Sequence, residues 1–428
     1  MTARKKLMFY CQHVLGMGHL IRSGEIVRGL KEFDVVFLNG GEIVPGFELP
    51  ASVEVINLPP IKSDAEFRGL RSAGNEQNLD KVKENRAQRL LAEYERVQPD
   101  MLVIELFPFG RLKFAFELMP LLERCNASGK AKRRTKVACS LRDILVGKRK
   151  QQQFEEQACR VINQYFDLLL IHSDPRFQRL DETFASVAQI KSPIRYTGFV
   201  AQTIAAEVSP PVGEHSVHNN EKQILVSIGG GRVGSELIDC AMDASNLLAD
   251  RLPHRMLVFG GPYLPEEELQ RLQAKAAGRK NVRLEHYTTQ FLSHLNRADL
   301  SISMAGYNTC MNIVATCTRA IVYPFTGNGD QEQTIRANKL RELGIVEVIH
   351  GDELNPAKLA EKILSTLSRP AEVAGRDIFV TASIGVSLYP RDGDQGDLLL
   401  RYADMAMYRA KSLGRGSLAC FEARLNRS

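Results

Sequence analysis

From residue 5 to about 200, short apolar runs alternate with longer amphipathic stretches, the pattern of βα units stacked on a parallel sheet. The apolar runs predict strands at 6–14, 34–38, 53–57, 101–105, 135–140, 168–172 and 194–197, with helices at 24–31 and 78–97 between them. Residues 202–220 break the pattern, because Ser209-Pro210-Pro211-Val212-Gly213 and the polar run ending Asn219-Asn220 offer no apolar face to bury. A second alternation follows at once, with strands expected at 223–228, 256–259, 282–285, 300–303 and 320–323. The expected fold class is α/β, two doubly wound domains in tandem over 1–201 and 221–368, a linker at 202–220, and a separate stretch at 369–428. Open α/β sheets bind ligands at the carboxyl ends of their strands, so two such domains facing each other would hold a substrate in the cleft between them.

Length agrees with more than one core, since 428 residues exceed the roughly 100–200 of an ordinary domain. With 44% apolar and 25% charged residues the composition is that of a soluble globular chain, and no stretch approaches the ~20 apolar residues of a membrane-spanning helix. At the N-terminus Gln12 and His13 end the run Leu7-Met8-Phe9-Tyr10-Cys11 too soon for a signal peptide, so it reads as a buried strand. The eight cysteines (Cys11, Cys125, Cys139, Cys159, Cys240, Cys310, Cys317, Cys420) are scattered, and none forms a pair or a Cys/His cluster with metal-ligand spacing. Reduced thiols in a cytoplasmic protein, and no metal site, are expected.

A net charge of +6 is mild, yet Lys130, Lys132, Arg133, Arg134 and Lys136 are concentrated, with Lys148, Arg149 and Lys150 close behind. Two readings stand for them. They form a solvated loop, or a patch for anionic headgroups or a phosphorylated acceptor that would bring the protein to the inner face of a membrane. Nucleic-acid binding is not expected, because no aromatic-rich strand or recognition helix accompanies the charge. Nothing in the sequence fixes the oligomeric state.

Four loops carry candidate chemistry. After the first strand, Gly16-Met17-Gly18-His19 opens a helix, and glycines there let a ligand approach the backbone while the helix start supplies unpaired N–H groups. His19 is placed to take a proton, with an ordinary pKa near 6.5 that suits a general base; the alternative is a histidine that caps the helix or packs on the sheet. The second domain opens with Gly229-Gly230-Gly231-Arg232-Val233-Gly234, formally G-x-G-x-x-G. A nicotinamide-dinucleotide fold would end the following strand in an acidic residue, but Met256-Leu257-Val258-Phe259 runs into Gly260-Gly261-Pro262, which leaves a phosphate-cradling loop and discounts a dehydrogenase. Further on, Gly306-Tyr307-Asn308-Thr309 feeds a helix start suited to a diphosphate, with Asn312 on the same helix face as Thr309. Asp330-Gln331-Glu332-Gln333 offers donors and acceptors for hydroxyl groups, or else is a solvated helix start.

In order and spacing these loops resemble a GT-B glycosyltransferase with two Rossmann-like domains, and the second domain looks like the C-terminal domain of family 28. A group of bacterial predicted glycosyltransferases is a nearer likeness, carried by Cys11-Gln12-His13 leading into Gly16-Met17-Gly18-His19, by Ser140-Leu141-Arg142-Asp143-Ile144 and by His172-Ser173-Asp174-Pro175-Arg176-Phe177. The resemblance covers roughly residues 5–355. It implies inverting transfer of a hexosyl group from a nucleotide-sugar, expected to be a UDP-sugar, to a glycan or lipid-linked acceptor, with no obligatory metal or cofactor. By that likeness His19 is the base. Gly230, Gly231, Arg232, Gly306, Tyr307, Asn308 and Thr309 surround the diphosphate, Glu332 and Gln333 meet the donor sugar, and His13, Gly16, Gly18 and Arg142 fall on the acceptor side. One position departs: where family 28 has a Glu that accepts from both ribose hydroxyls, this chain has Asn312, which offers one acceptor oxygen and no charge. Two other readings remain open, a UDP-sugar 2-epimerase of the same fold and a non-catalytic nucleotide or cyclic-dinucleotide binding protein.

Downstream of Asn355 the sequence changes character. Gly375-Arg376-Asp377-Ile378-Phe379-Val380-Thr381-Ala382-Ser383-Ile384-Gly385-Val386-Ser387-Leu388-Tyr389-Pro390, then Leu400-Arg401-Tyr402-Ala403-Asp404-Met405-Ala406-Met407-Tyr408-Arg409-Ala410-Lys411, and Gly414-Arg415, resemble the C-terminal part of a GGDEF (diguanylate cyclase) domain. The metal-binding aspartate and the Gly-Gly-Asp/Glu-Glu-Phe hairpin that should precede it are missing, and Gly40-Gly41-Glu42-Ile43 is no substitute. Lys411 and Arg415 match the family's phosphate-contacting pair with no hairpin to complete a site, so cyclase activity is not expected. About 50 residues are too few to bury a core, and the apolar strand expected at 380–388 needs a partner.

Overall fold

Leu7, Phe9 and Cys11 of β1 (Lys5–Cys11) pack on one face of a sheet while Met8 and Tyr10 pack on the other, the two-residue period of a strand buried on both sides. The same alternation recurs in β2 (Phe33–Asn39), β6 (Met101–Glu105), β7 (Lys136–Arg142) and β8 (Leu168–His172), whereas the edge strands β3 (Glu54–Asn57) and β9 (Ile194–Tyr196) bury one face only. They form a parallel sheet in the order β3-β2-β1-β6-β7-β8-β9. A short antiparallel pair, β4 (Ile61–Ser63) and β5 (Leu70–Ser72), stands outside it. Helix α1 (Gly18–Gly29) covers one face with Leu20 and Val27, and α2 (Leu79–Val97), α3 (Ala115–Asn126) and α4 (Gln151–Tyr165) cover the other. Asn78 caps α2, its side-chain oxygen accepting from the N–H groups of Asp80 and Lys81 at 3.1 and 3.2 Å.

This computed structural model describes residues 4–14, 17–44, 46–63, 69–74, 76, 78–127, 134–148, 150–203, 221–327, 331–368, 371–373, 376–378, 384–387, 392–393, 395–413 and 418–421. Gly16, Asp330, the basic residues Lys130, Lys132, Arg133 and Arg149, Arg415 and most of the expected linker lie outside the described residues. The chain divides into two compact units, Met1–Leu367 and Ser368–Ser428.

The first unit holds a second parallel sheet, β12-β11-β10-β13-β14-β15, built from β10 (Lys222–Ser227), β11 (His254–Phe259), β12 (Val282–Glu285), β13 (Leu300–Met304), β14 (Ala320–Tyr323) and β15 (Glu347–Val348). Helices α5 (Ser235–Leu248), α6 (Glu266–Ala276) and α10 (Pro356–Ser368) pack on one face. Helices α7 (Phe291–Arg297), α8 (Tyr307–Thr316) and α9 (Glu332–Glu342) pack on the other. Leu359, Ala360 and Ile363 place α10 in this core. In both sheets the strand order reverses beside the first strand, between β1 and β6 and between β10 and β13, which opens a crevice at the carboxyl ends there.

Expected elements differ from the observed ones at their edges. The helix expected at 24–31 begins at Gly18, with Gly24 inside it because a Cβ there would fall 2.8 Å from the Phe47 ring. Gly40 and Gly41 serve packing: a Cβ on Gly40 would lie 2.1 Å from Gln12 Oε1, and one on Gly41 2.4 Å from His13 Nε2. In the second unit, β16 (Ala371–Val373) pairs antiparallel with β17 (Arg376–Ile378), and β18 (Ile384–Val386) parallel with β19 (Leu418–Cys420). Helix α11 (Gly396–Leu413) contributes Tyr402, which stacks on Phe421 at 3.9 Å between ring centroids. Of the strand expected at 380–388, residues 384–386 are strand, and 379–383 and 388 lie outside the described residues.

Candidate active site

The crevice between β1 and β6 brings together a histidine from the start of α1 and the last residue of β6. His19 Nδ1 lies 2.7 Å from Glu105 Oε1, and Arg22, one turn further along α1, donates to the same oxygen at 2.5 Å. A carboxylate can only accept, so Nδ1 carries the proton and Nε2 holds a lone pair. Glu105 is fully buried and Arg22 nearly so, whereas the His19 side chain keeps 18% of its surface exposed. Burial pushes the His19 imidazole down to about 3 against the pull of Glu105. Burial alone would raise Glu105, but His19, Arg22 and Arg111 together hold it down to about 2. At neutral pH the pair is therefore a neutral imidazole on an ionised carboxylate.

Asp143 and Arg142, at the end of β7, reach across to α9. Arg336 is fully buried and grips Asp143 with two hydrogen bonds of 2.8 and 2.7 Å, while its Nη2 also donates to Glu332 Oε1 at 2.7 Å. Arg142 closes the set on Glu332 Oε2 at 2.6 Å. Burial would lower Arg336, yet Asp143 and Glu332 keep it well above its ordinary value. Tyr307 at the start of α8 donates to the carbonyl of His172 at 3.0 Å and accepts from Val200 N–H at 3.0 Å, with Arg22 and Arg336 against its ring. His172, buried and pushed down to about 3 by desolvation, meets Ser140 Oγ through Nε2 and Thr197 Oγ1 through Nδ1, each at 2.8 Å. Lys339 donates to the carbonyl of Phe177 at 2.8 Å. The stretches 140–144 and 172–177 thus fasten the two sheets to each other.

On the second sheet, the loop after β10 needs its glycines: Gly229, Gly231 and Gly234 have φ of 65°, 88° and 97°. A Cβ on Gly231 would fall 2.4 Å from the carbonyl oxygen of Gly260, and the Gly230 carbonyl accepts from Tyr263 N–H at 2.9 Å. Arg232 is exposed and lies 4.9 Å over the Tyr263 ring. Together with His13, Val14, Glu42, Ile61 and Lys62, these two residues line a crevice between the sheets. Gly306 precedes α8, with open space where a Cβ would stand, and Asn308 and Thr309 are half-buried on the first turn.

Four site expectations meet a different arrangement. Asn312 does not present a free carboxamide to a ribose: it is 3% exposed, its Nδ2 donates to Gln202 Oε1 at 2.8 Å and its Oδ1 accepts from Gln202 N–H at 3.2 Å. Glu332 is tied to Arg142 and Arg336, and Gln333 Oε1 accepts from Phe325 N–H at 3.1 Å, so both shape the fold around the cleft. Asn308 Nδ2 donates to the carbonyl of Gly18 at 3.0 Å, joining α8 to the loop before His19. His13 lines the crevice but is buried, its pKa lowered by desolvation, and its ring packs on Gly41. Glu105, Arg22, Arg111, Asp143 and Arg336 were not foreseen as site residues. The signal for Glu105 was a lone carboxylate ending an apolar strand, and for Arg22 its place three residues after His19. Among the described residues no group of three or more His, Cys, Asp and Glu is arranged to hold a metal ion, and no helix is long and apolar enough to cross a membrane.

Residues 225–377 match the glycosyltransferase family 28 C-terminal domain, and residues 343–417 match the diguanylate cyclase GGDEF domain; α10 lies in the overlap. A bifunctional diguanylate cyclase/cyclic di-GMP phosphodiesterase of Pseudomonas aeruginosa is 36% identical over 104 residues, 22% of this chain and 15% of that protein. The UDP-N-acetylglucosamine--N-acetylmuramyl-(pentapeptide) pyrophosphoryl-undecaprenol N-acetylglucosamine transferase of Natranaerobius thermophilus is 24% identical over 170 residues, 39% of this chain and 46% of that one. The chain therefore spans less than half the length of these curated relatives. Two solved structures cover most of it. The calicheamicin glycosyltransferase CalG4 has a TM-score of 0.54 at 16% identity, over 87% of this chain and 92% of its own. A putative UDP-N-acetylglucosamine 2-epimerase from Listeria monocytogenes has a TM-score of 0.57 at 13% identity, over 85% and 88%.

Proposed function

We propose that this chain, which has the GT-B fold and a C-terminal GGDEF-type segment, is an inverting glycosyltransferase that moves a hexosyl group from a UDP-sugar to a hydroxyl of a glycan or lipid-linked acceptor. The observation that carries this reading is the His19–Glu105 pair at 2.7 Å, with Nε2 of a partly exposed ring left to the cleft. As the acceptor oxygen attacks the anomeric carbon and its bond to the diphosphate breaks, Nε2 takes the hydroxyl proton. Glu105 stabilises the imidazolium formed and holds the ring in the required tautomer. The ring's low proton affinity keeps it neutral until the proton is in flight. The leaving diphosphate is met by backbone N–H groups of the Gly229–Gly231 loop, by the start of α8 and by Arg232, all on the second sheet.

Glu105 and Glu332 are both engaged by arginines, which disfavours the epimerase reading, since that chemistry needs carboxyl groups free to exchange protons beside the sugar. The C-terminal segment lacks the metal aspartate and the hairpin in its sequence, and we read it as having no cyclase activity. The test is a UDP-release assay with UDP-sugars over a panel of glycan and prenyl-phosphate acceptors, with the product anomer read by NMR. UDP released only with acceptor, and an inverted product, is the expected result. UDP binding with no turnover on any acceptor would favour a binding protein, and a sugar epimer formed without acceptor would favour the epimerase.

A further inference from the structure

The first turn of α8 reaches two neighbours of the base. Asn308 Nδ2 donates to the carbonyl of Gly18, the residue before His19, at 3.0 Å. Beside it Tyr307 turns a buried ring to Arg22, whose guanidinium carbon lies 5.4 Å from the ring centroid. Arg22 is 2% exposed and donates through Nη2 to Glu105 Oε1, the same oxygen that accepts from His19 Nδ1. Because Nδ1 carries the proton it offers Arg22 no acceptor, and the 3.4 Å between Nη2 and Nδ1 is a packing contact. The guanidinium is thus wedged between the carboxylate that holds the base and an aromatic ring from the second sheet. That ring is fixed in its turn, with the Arg336 guanidinium carbon 5.5 Å from its centroid and its hydroxyl on the carbonyl of His172.

Glu105 alone does not set the imidazole. Its second oxygen, Oε2, is buried with no hydrogen-bond partner among the described residues, so the turn of the carboxylate about its own bond rests on Oε1, which His19 and Arg22 share. We propose that Arg22 is a positioning residue: it fixes the Glu105 carboxylate and through it the His19 ring, and its contact with Tyr307 makes that alignment follow the start of α8. This rests on the transferase reading, in which the start of α8 meets the donor diphosphate, and deepens it, since the base is then set by the helix that receives the donor. A hydroxyl proton is drawn off only when a sugar is in place to take the oxygen. The charged groups acting on the ring are Glu105 at the end of β6, Arg111 on the loop that follows and Arg22 on α1, while α8 contributes the neutral side chains of Tyr307 and Asn308.

The test is NMR of the full chain with 15N-labelled histidines, the His19 signal assigned by its loss in His19→Asn, alongside kcat and the UDP Kd. Wild type should show the Nδ1–H tautomer, with shifts that move when UDP is added. In Arg22→Met the tautomers should mix, and the titration midpoint should rise from about 3 toward the ordinary value, because a cation that opposes the imidazolium is gone. Added UDP should then leave the His19 signal in place although the UDP Kd is unchanged, and kcat should fall roughly 10²-fold, the cost of a small misplacement of a reacting group. Arg22→Lys keeps the charge but not the planar fork, so its midpoint should stay low while kcat remains reduced. Wild-type tautomer and titration in Arg22→Met would overturn the proposal, as would a UDP-induced shift of His19 that persists in that variant. An equal rise of the midpoint in Arg22→Met and Arg22→Lys, with lower melting temperatures in both, would make Arg22 a structural residue and overturn it too. If UDP does not bind wild type, the transferase reading fails; a mixed tautomer in both Arg22→Met and Tyr307→Leu would still uphold the link from α8 through Arg22 to His19.

Discussion

His19 sits under two opposing influences, burial that strips it of its proton and a carboxylate that would return it, and burial wins. The sign of the pH dependence follows. A base must be neutral to act, and a histidine with the ordinary pKa near 6.5 would lose activity as pH falls through that value. With His19 held down to about 3 and Glu105 to about 2, kcat should stay level from pH 8 to about 5. A limb centred near 6.5 in the kcat profile would mean the ring is not buried as described. Glu105→Gln tests the partner: it removes the charge that stabilises the imidazolium and lets an amide donor select the wrong tautomer, so kcat should drop by roughly 10²–10⁴ with UDP affinity unchanged. The same variant leaves Arg22 without its carboxylate, and a lower melting temperature is expected alongside.

At the scale of elements, helix α8 bears most on where the two sheets meet, because Tyr307, Asn308 and Asn312 all spend their polar groups on the first sheet or the segment leaving it. Asn312→Glu, which a ribose-facing position would reward with tighter UDP binding, should instead lose the donor to Gln202 Oε1 and bury a charge beside it. A loss of about 1–3 kcal/mol, read as a lower melting temperature with UDP binding no tighter, is expected. Tighter UDP binding at unchanged stability would restore the ribose reading. Period-two alternation made the strands legible, and the bounds of β6, β8, β12 and β14 coincide with the apolar runs. Helix α1 was less legible, since the amphipathic stretch reads from 24 to 31 while the helix begins at Gly18 and runs through Gly24, where contact with Phe47 requires a glycine. Within the site, His19 was marked by the glycine turn before it. Its partner was not, because Glu105 lies 86 residues away and only the sheet order places β6 beside β1. For Arg142 and Asp143 the sequence carried a likeness but not the reason for it, which is the ion network closed by Arg336 and Glu332.

The whole molecule joins a GT-B unit to a C-terminal segment of a different family, and the two make separable claims. Given GTP with magnesium or manganese, the purified protein should make no cyclic di-GMP, as monitored by chromatography, because the residues that would bind metal and guanine are missing from the sequence; product formation would show that a cyclase site is assembled some other way. On the transferase side, the proposed base and the loops proposed for the donor belong to different sheets, so chemistry and nucleotide binding should respond separately to mutation. The most direct measurement is the turnover number for UDP release by wild type and His19→Ala, with UDP affinity determined on the same preparations. A fall of roughly 10²–10⁴ in kcat with the UDP Kd unchanged is the expected result for a positioned base on the acceptor side. A turnover number equal to that of the wild type would contradict it.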